Sequence, residues 1–515
     1  MKNSVRTVGN IFFIIFFSKL LGQVREMMIA GSYGTENLAN AFMTATQIPL
    51  NFFDLILGAA IVSAFVPVFN EFYEKDGFEH ANGFANNFVG VITVISVVIS
   101  VLGVIFSGTL IGVMASGFDA ETSLLASKLL KIMFPSMIFT AVAYTYAGVL
   151  QSLGQFNAPA AMSIVSNGIS ILYLLLFKDK YGITGLAVSM LIGWLMQLVL
   201  LIPYLIRFKF KFGFRLNFKD PGMIKVYKLA IPILLSSWVQ PLNVLFNTHL
   251  ASYLEGGASV INYANKLYLI IASVFTVAIT NMILPELSRL FVSGEKEQAG
   301  QVIGNSLKAT TLFILPIMFL FIVFAEPIVR IIYQSGAFDE RSVELTAAAL
   351  LCYSIGMLGF AWQEVLNKSF YSMQISKIPM QTAFLAIAIN VLVSLALFKS
   401  VGVAGLATAS AISAIFSGVT LFIRMTKANQ FLPVKQVLVS FLKGFISAVV
   451  SAGVAKIICK LLVPAQAGRI VLLFAVGTIC LFAIILYVLL LLLFRCEELK
   501  VLKTMMFKKK GENDA

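Results

Sequence analysis

Charged side chains are scarce in this chain: Asp, Glu, Lys and Arg together make up 12% of its 515 residues, against 59% apolar residues and a mean hydropathy of +0.92. Globular domains carry about 25% charged and about 45–50% apolar residues. The shortage excludes a soluble fold, whose helices or strands keep one polar face in water. Cysteine occurs four times, at Cys352, Cys459, Cys480 and Cys496, with neither pairing nor metal-ligand spacing. That excludes a disulfide framework and a zinc site, and leaves these residues as packing groups. No GxxxxGK[ST] loop is present, so nucleotide hydrolysis by that route is excluded and no primary pump is expected. HExxH, GxSxG and clustered outer-loop Asp pairs are also missing, Asp339-Glu340 standing alone. A membrane glycosyl or lipid-phosphate transferase needs such positioned acids, bases or metal ligands, so an enzyme is disfavoured.

What the chain does have is long apolar runs. Windows of roughly 20 apolar residues predict an all-α polytopic membrane protein with about fourteen transmembrane helices. They centre near residues 20, 50, 100, 138, 168, 193, 240, 273, 314, 357, 388, 413, 447 and 481. The runs are too continuous for barrel strands, which need about 9–11 alternating residues. The first segment follows Lys2 and Arg6 as a signal peptide would, but Lys19 and Arg25 interrupt the apolar stretch and no small-residue cleavage site follows. It is expected to remain as a mature helix. The second and eighth helices, Leu38 to Glu71 and Ala258 to Leu290, exceed a bilayer's thickness, and Pro49, Pro67 and Pro285 imply bends.

Orientation follows from the basic loops, which face the cytoplasm. The connection after the sixth helix carries Arg207, Lys209, Lys211, Arg215, Lys219, Lys225 and Lys228, and is expected there. An even helix count puts both termini on the same side, while the acidic loop Gly117 to Ser123 faces outside. The net charge of +14 is then topology and not nucleic-acid binding.

An internal repeat organises the helices. Pro159 and Pro379, Gly182 and Gly402, Gly185 and Gly405, and Tyr33 and Tyr253 are each 220 residues apart. Six helices followed by six in the same order make a parallel repeat, which places a transport site at the interface of two lobes. The expected divisions are an N-lobe over 1–206, a basic cytoplasmic linker over 207–228, a C-lobe over 229–427, two further helices within 428–494, and a basic cytoplasmic tail over 495–515.

The densest functional signal is Ser18-Lys-Leu-Leu-Gly-Gln-Val-Arg-Glu26 inside the first apolar segment. A charge at mid-membrane costs about 2.5–3.5 kcal/mol and marks a polar interior or a cargo path. On a helix Lys19 and Glu26 lie within about 20° of one another, with Ser18 and Arg25 on the adjoining stripe and Gly22 between. A polar, anionic cargo fits this set. A Lys19–Glu26 charge pair holding helices together, and an Arg25 snorkelling to the rim, are the structural alternatives.

The run SKLLGQVREMMIAGSYG (Ser18 to Gly34), then AFMTATQIP to Pro49 and AFVPVFNEF to Phe72, resembles the opening of the MurJ (MviN) lipid II flippases. These belong to the multidrug, oligosaccharidyl-lipid and polysaccharide exporter superfamily. Ala251-Ser-Tyr253, Asn262-Tyr-Ala-Asn-Lys-Leu267 and Ile283-Leu-Pro-Glu-Leu-Ser288 resemble that family's seventh and eighth helices. The resemblance implies two six-helix lobes plus two extra helices, in the bacterial cytoplasmic membrane. It also implies alternating-access transport of undecaprenyl-pyrophosphate-linked peptidoglycan precursor (lipid II) to the outer leaflet, in the service of cell-wall growth and cell shape.

Carried onto matching positions, Lys19, Arg25 and Lys266 are the cationic set for the pyrophosphate, with Ser18, Gly22, Glu26, Asn40, Asn265, Glu364 and Lys368 in support. Positions 19 and 266 hold lysine where the family favours arginine, so the phosphate contact is a point charge without a bidentate fork. The base expected shortly after Pro49 is absent, and Asp54 stands nearby. Asn40 and Asn265 replace two acids of the family pattern. Another polyprenyl-linked glycan is the alternative cargo, ahead of a cationic drug. No metal or cofactor is expected; a sodium site lacks its acids, which leaves membrane potential acting on moving charge, or no coupling beyond removal of the cargo outside. The expected partners are the cargo and membrane lipids, and the expected state is a monomer. His249 is read as a core histidine or a proton relay, and Lys308, Lys443 and Lys456 as headgroup contacts.

Overall fold

In lipid every backbone N–H and C=O must find a partner within the protein, so apolar spans fold as helices. The computed structural model describes residues 2–58, 61–464 and 468–494. The basic tail expected over 495–515, and Cys496 with it, lie outside the described residues. The described chain is helical, without strands. Its first half runs α1 (Lys2–Tyr33), α2 (Asn37–Phe53), two π-helical turns (Asp54–Gly58 and Ile61–Phe65), α3 (Val66–Ile105), α4 (Ser107–Met114), α5 (Ala120–Met133), α6 (Ser136–Ser152), α7 (Asn157–Leu176) and α8 (Lys178–Arg207). Then follow α9 (Pro221–Ser237), α10 (Val239–Ala251), α11 (Gly257–Val292), α12 (Lys296–Val323), α13 (Ala325–Tyr333), α14 (Glu340–Ile355), α15 (Met357–Ser372), α16 (Lys377–Val401), α17 (Val403–Ala428), α18 (Val434–Leu462) and α19 (Arg469–Leu493).

All fourteen centres read from the sequence fall inside helices. Among the described residues nine stretches are long and apolar enough to cross a bilayer, and α14 with α15, bent by 46°, makes a tenth. The four centres outside this set are those near 20, 50, 240 and 273. They lie in α1, α2, α10 and α11, of which α2 and α10 are only 17 and 13 residues long. These four are the first two helices of each six-helix repeat.

Pro49 sits inside α2 without ending it, and the α-helical ladder gives way instead at Asp54, where the π turns begin. A π turn leaves its carbonyls off the α-helical ladder. The Trp238 indole N–H takes up one of them, donating to the Leu55 carbonyl at 2.7 Å. Pro67 falls in the first turn of α3, where its missing N–H costs no hydrogen bond.

The chain forms two compact units, Met1–Ser259 with Ser335–Asp339, and Val260–Gln334 with Glu340–Ala515. In the first, α1 packs on α7, α7 on α8, α2 on α5, and α3 on α6. Glycines admit the returning segment 335–339 at the end of α1: the Ala337 N–H donates to the Gly31 carbonyl at 2.9 Å, and a Cβ on Gly31 would stand 2.5 Å from Ser335 Oγ. In the second unit α16 packs on α17, α15 on α17, and α12 on both α15 and α18. The two extra helices are built into this unit: Tyr487 Oη on α19 donates to the Leu312 carbonyl of α12 at 2.9 Å.

The repeat extends to backbone conformations that residue identity conceals. Gly182 and Gly402 both take positive φ, at 56° and 67°. Gly154 has φ 79°, and its equivalent 220 residues on is Gln374, with φ 59°. The hydrogen bonds match as well: Gln155 N–H donates to the Leu150 carbonyl at 2.8 Å, and Ile375 N–H to the Phe370 carbonyl at 3.0 Å. Both are helix ends closed by a left-handed residue. A non-glycine residue in that conformation costs about 1–2 kcal/mol. Gln374→Gly should therefore stabilise the chain by about 1 kcal/mol, and Gly154→Gln should destabilise it by a similar amount, as read by thermal unfolding in detergent.

Candidate functional site

Helix α1 places its polar residues by helical spacing. Ser18, Gly22 and Glu26 recur every fourth residue and so form one stripe. The first two lie against α7: the Asn167 amide donates to the Ser18 carbonyl at 3.3 Å, and a Cβ at Gly22 would come within 3.3 Å of the same nitrogen. The polar layer continues into α8, where Gln197 Nε2 donates to Ser166 Oγ at 2.7 Å. Lys19, one residue round from Ser18, is exposed and makes no hydrogen bond or ion pair among the described residues.

Glu26 is buried and pairs with Arg25, Nη2 to Oε1 at 2.5 Å, and not with Lys19. The i, i+7 spacing puts Lys19 on nearly the same face, but about two turns away, whereas the long guanidinium stem of Arg25 swings round to its neighbour. This tie also keeps Arg25 from snorkelling, since its side chain is only 20% exposed. Arg25 Nε is buried without an acceptor. The pair thus leaves one edge of the guanidinium unused.

Asn40 on α2 does structural work in the first unit. Its Oδ1 accepts from the Ser259 N–H and Oγ, each at 2.9 Å, and so closes the first turn of α11. Asp54 opens the first π turn and is exposed. His249 on α10 is half-buried, with Nδ1 donating to the Val113 carbonyl at 2.8 Å and its ring edge-on to Tyr253.

In the second unit, Asn265 and Lys266 are half-buried on α11, next to a buried tyrosine pair, Tyr263 and Tyr333, with ring centroids 5.0 Å apart. Glu364 and Lys368, one turn apart on α15, are half-buried and interact electrostatically without a hydrogen bond between them. Glu364 also lies within electrostatic reach of Tyr268, two residues along α11 from Lys266. Tyr268, packed 6.0 Å from the Phe360 ring, thus sets α11 beside α15, the helix of Glu364 and Lys368. Lys308 differs from its headgroup reading. It is buried on α12, with Nζ donating to Gln436 Oε1 of α18 at 3.3 Å. The signal available for it was its place mid-helix, four residues from the buried Gly304.

Beyond the candidate spans, Arg330 on α13 is clamped by Glu326 and Glu340, and Glu340 chiefly holds its guanidinium further toward the charged form. At the start of α5, Asp119 caps the helix by accepting from the Thr122 N–H at 2.8 Å, and that bond holds its carboxyl below the usual range.

Residues 29–494 match the family model described as Lipid II flippase MurJ. The protein of Rhizobium meliloti named "Probable lipid II flippase MurJ" is 28% identical over 414 residues, 79% of this chain and 77% of that protein. "Lipid II flippase MurJ" of Burkholderia cenocepacia is 26% identical over 460 residues, covering 88% and 89%. Among solved structures, "Lipid II flippase MurJ, inward closed conformation" superposes with a TM-score of 0.79 at 22% identity, over 94% of this chain and 98% of that one. A multidrug resistance MATE family transporter of the MOP superfamily, in an inward-facing conformation, gives a TM-score of 0.69 at 13% identity, covering 81% and 95%. At such identities the structural likeness concerns the fold.

Breaking a buried ion pair by removing one partner costs about 3–5 kcal/mol. Glu26→Ala should therefore lower stability by about 3 kcal/mol, while Lys19→Ala, at an exposed position, should stay within about 0.5 kcal/mol of the parent. Thermal unfolding of the purified variants in detergent separates the two.

Proposed function

We propose that this chain, which belongs to the lipid II flippase MurJ family, carries lipid II across the bilayer as a transporter and performs no covalent chemistry on it. It is a multi-pass inner-membrane protein. The fourteen spans read from the sequence all cross the membrane, with both termini in the cytoplasm, a reading supported by the seven bases of the 207–228 connection. Transport proceeds by alternating access, the headgroup being exposed first to the inner and then to the outer side.

The observation that carries this reading is the state of the two cations on α1. Lys19 is exposed, and Arg25 has a buried Nε with no acceptor. Glu26 orients Arg25 through Nη2, so the unused edge is aimed in advance at an incoming anion. A phosphate oxygen that accepts from Nε gains a charge-assisted bond, worth roughly twice a neutral one. Lys19 supplies a mobile point charge, and Lys266 on α11 is the third cation for the pyrophosphate. Ser18 and Gly22 seat α1 against α7 and fix the height at which these cations stand. Asn265, Glu364 and Lys368 tune the field around Lys266, and Asn40 anchors the start of its helix.

No cofactor takes part. The protein acts as a monomer, and membrane potential drives the cycle through charge that moves with the cargo, at about 2.3 kcal/mol per charge per 100 mV. The parent chain should restore growth to a strain depleted of its own lipid II flippase. Lys19→Ala, Arg25→Ala and Lys266→Ala should each fail to do so at normal membrane levels. Growth like the parent's for all three would remove these residues from the cargo site, and failure of the parent chain itself would point to another polyprenyl-linked glycan.

A further inference from the structure

The connection from α8 to α9 reads Arg207-Phe-Lys-Phe-Lys-Phe-Gly-Phe-Arg-Leu-Asn-Phe-Lys219. Even positions are all apolar, odd positions other than Gly213 are basic or polar, and the stretch has five bases and no acid. Such alternation would suit a strand in a sheet, yet no sheet is present among the described residues. The segment instead runs irregularly along α3.

It is fixed there by side chains, not left slack. Asn86 Nδ2 donates to the Lys211 carbonyl at 2.7 Å while its Oδ1 accepts from the Gly213 N–H at 3.1 Å. Asn87 does the same for Asn217, with bonds of 2.9 and 2.7 Å. At Gly90 the fit is so close that a Cβ would stand 2.0 Å from the Arg215 carbonyl oxygen. One aromatic, Phe210, is buried against Tyr146, with ring centroids 5.6 Å apart. Those that follow are exposed, Phe212, Phe214, Leu216 and Phe218 among them and Phe214 to 70%, although one edge of Phe212 still meets Tyr146 and Phe210 at ring centroids of 5.9 and 5.3 Å. Lysines and arginines stand exposed between them, and of these Lys211 is already bonded to Glu79.

A rigid strip that exposes phenylalanine and positive charge together needs a partner that is apolar and anionic at once. Its position names that partner. The strip begins where α8, a bilayer-crossing helix, ends. It lies along Asn82 to Gly90 of α3, where that helix passes from the charged stretch Glu71 to Glu79 into its apolar run. Both helices place it at the membrane surface.

We propose that residues 207–219 form a preassembled binding surface for anionic phospholipid. Phe212, Phe214 and Phe218 enter the boundary of the acyl region, and Lys209, Arg215 and Lys219 take the headgroup phosphates. Basic residues near a membrane surface draw in anionic lipid, and aromatic rings settle at the interface. Because the asparagines hold the backbone, little order is lost on binding.

The test uses the full chain carrying Phe214→Trp, reconstituted in vesicles of phosphatidylcholine with either brominated phosphatidylglycerol or brominated phosphatidylcholine as quencher. The quenching contributed by the added indole over the parent chain should favour brominated phosphatidylglycerol about fivefold or more, the equivalent of one engaged cation. Adding Lys209→Gln, Arg215→Gln and Lys219→Gln should abolish that preference while leaving helical circular dichroism unchanged. Salt near 1 M, where the Debye length falls to about 3 Å, should weaken it. Equal quenching by both lipids would overturn the anionic assignment. Absence of quenching by either would overturn the membrane location and leave the strip to an acidic soluble partner.

Discussion

A charge in the hydrocarbon of a bilayer persists only where the protein supplies it with polar company, and this constraint orders the rest of the structure. Ten of the fourteen helix centres lie in described stretches long and apolar enough to cross a bilayer. Charges within the helices are met by polar groups of the protein: Arg25 by Glu26 on α1, Lys308 by Gln436 of α18, and Glu364 by Lys368 on α15. Within α1, one stripe docks on α7, Glu26 orients Arg25, and Lys19 is left exposed.

The second organising fact is the duplication. Residue identity has drifted far between the halves, yet the backbone retains helix ends of the same shape at Gly154 and Gln374, and at Gly182 and Gly402. Glycine fits these positions without steric cost, and Gln374 shows that the conformation outlasts the residue that suits it best. The fold therefore specifies these ends through the hydrogen bonds that close them, not through glycine alone.

The fold class and the helix positions were legible because hydropathy is a bulk property, averaged over twenty residues and insensitive to detail. Departures from regularity were not. Pro49 suggested a bend, but proline only removes a donor, and the helix changes at Asp54, where no residue type announces a π turn. Helical spacing offered Lys19 as the partner of Glu26, whereas the pair formed is with Arg25, because side-chain reach and not face alone decides it. Lys308 read as a headgroup contact until α18 was seen to cover it, a neighbour 128 residues away that no local pattern reveals. The asparagines of α3 were silent for the same reason, since their partners lie in a connection that shows only as basic from the sequence.

The segment Ser335–Asp339 joins the first unit, against the end of α1, although more than three hundred residues separate them. Chains fold as they emerge, at about 5–20 residues per second. The earliest helix made is thus left without its last neighbour until about two thirds of the protein has been synthesised. During that interval the carbonyl of Gly31 and the left-handed turn at Gly34 must wait in the membrane or be served by another group. Assembly of the first unit is consequently a late event in the life of the nascent chain, tied to the ribosome's progress through the second.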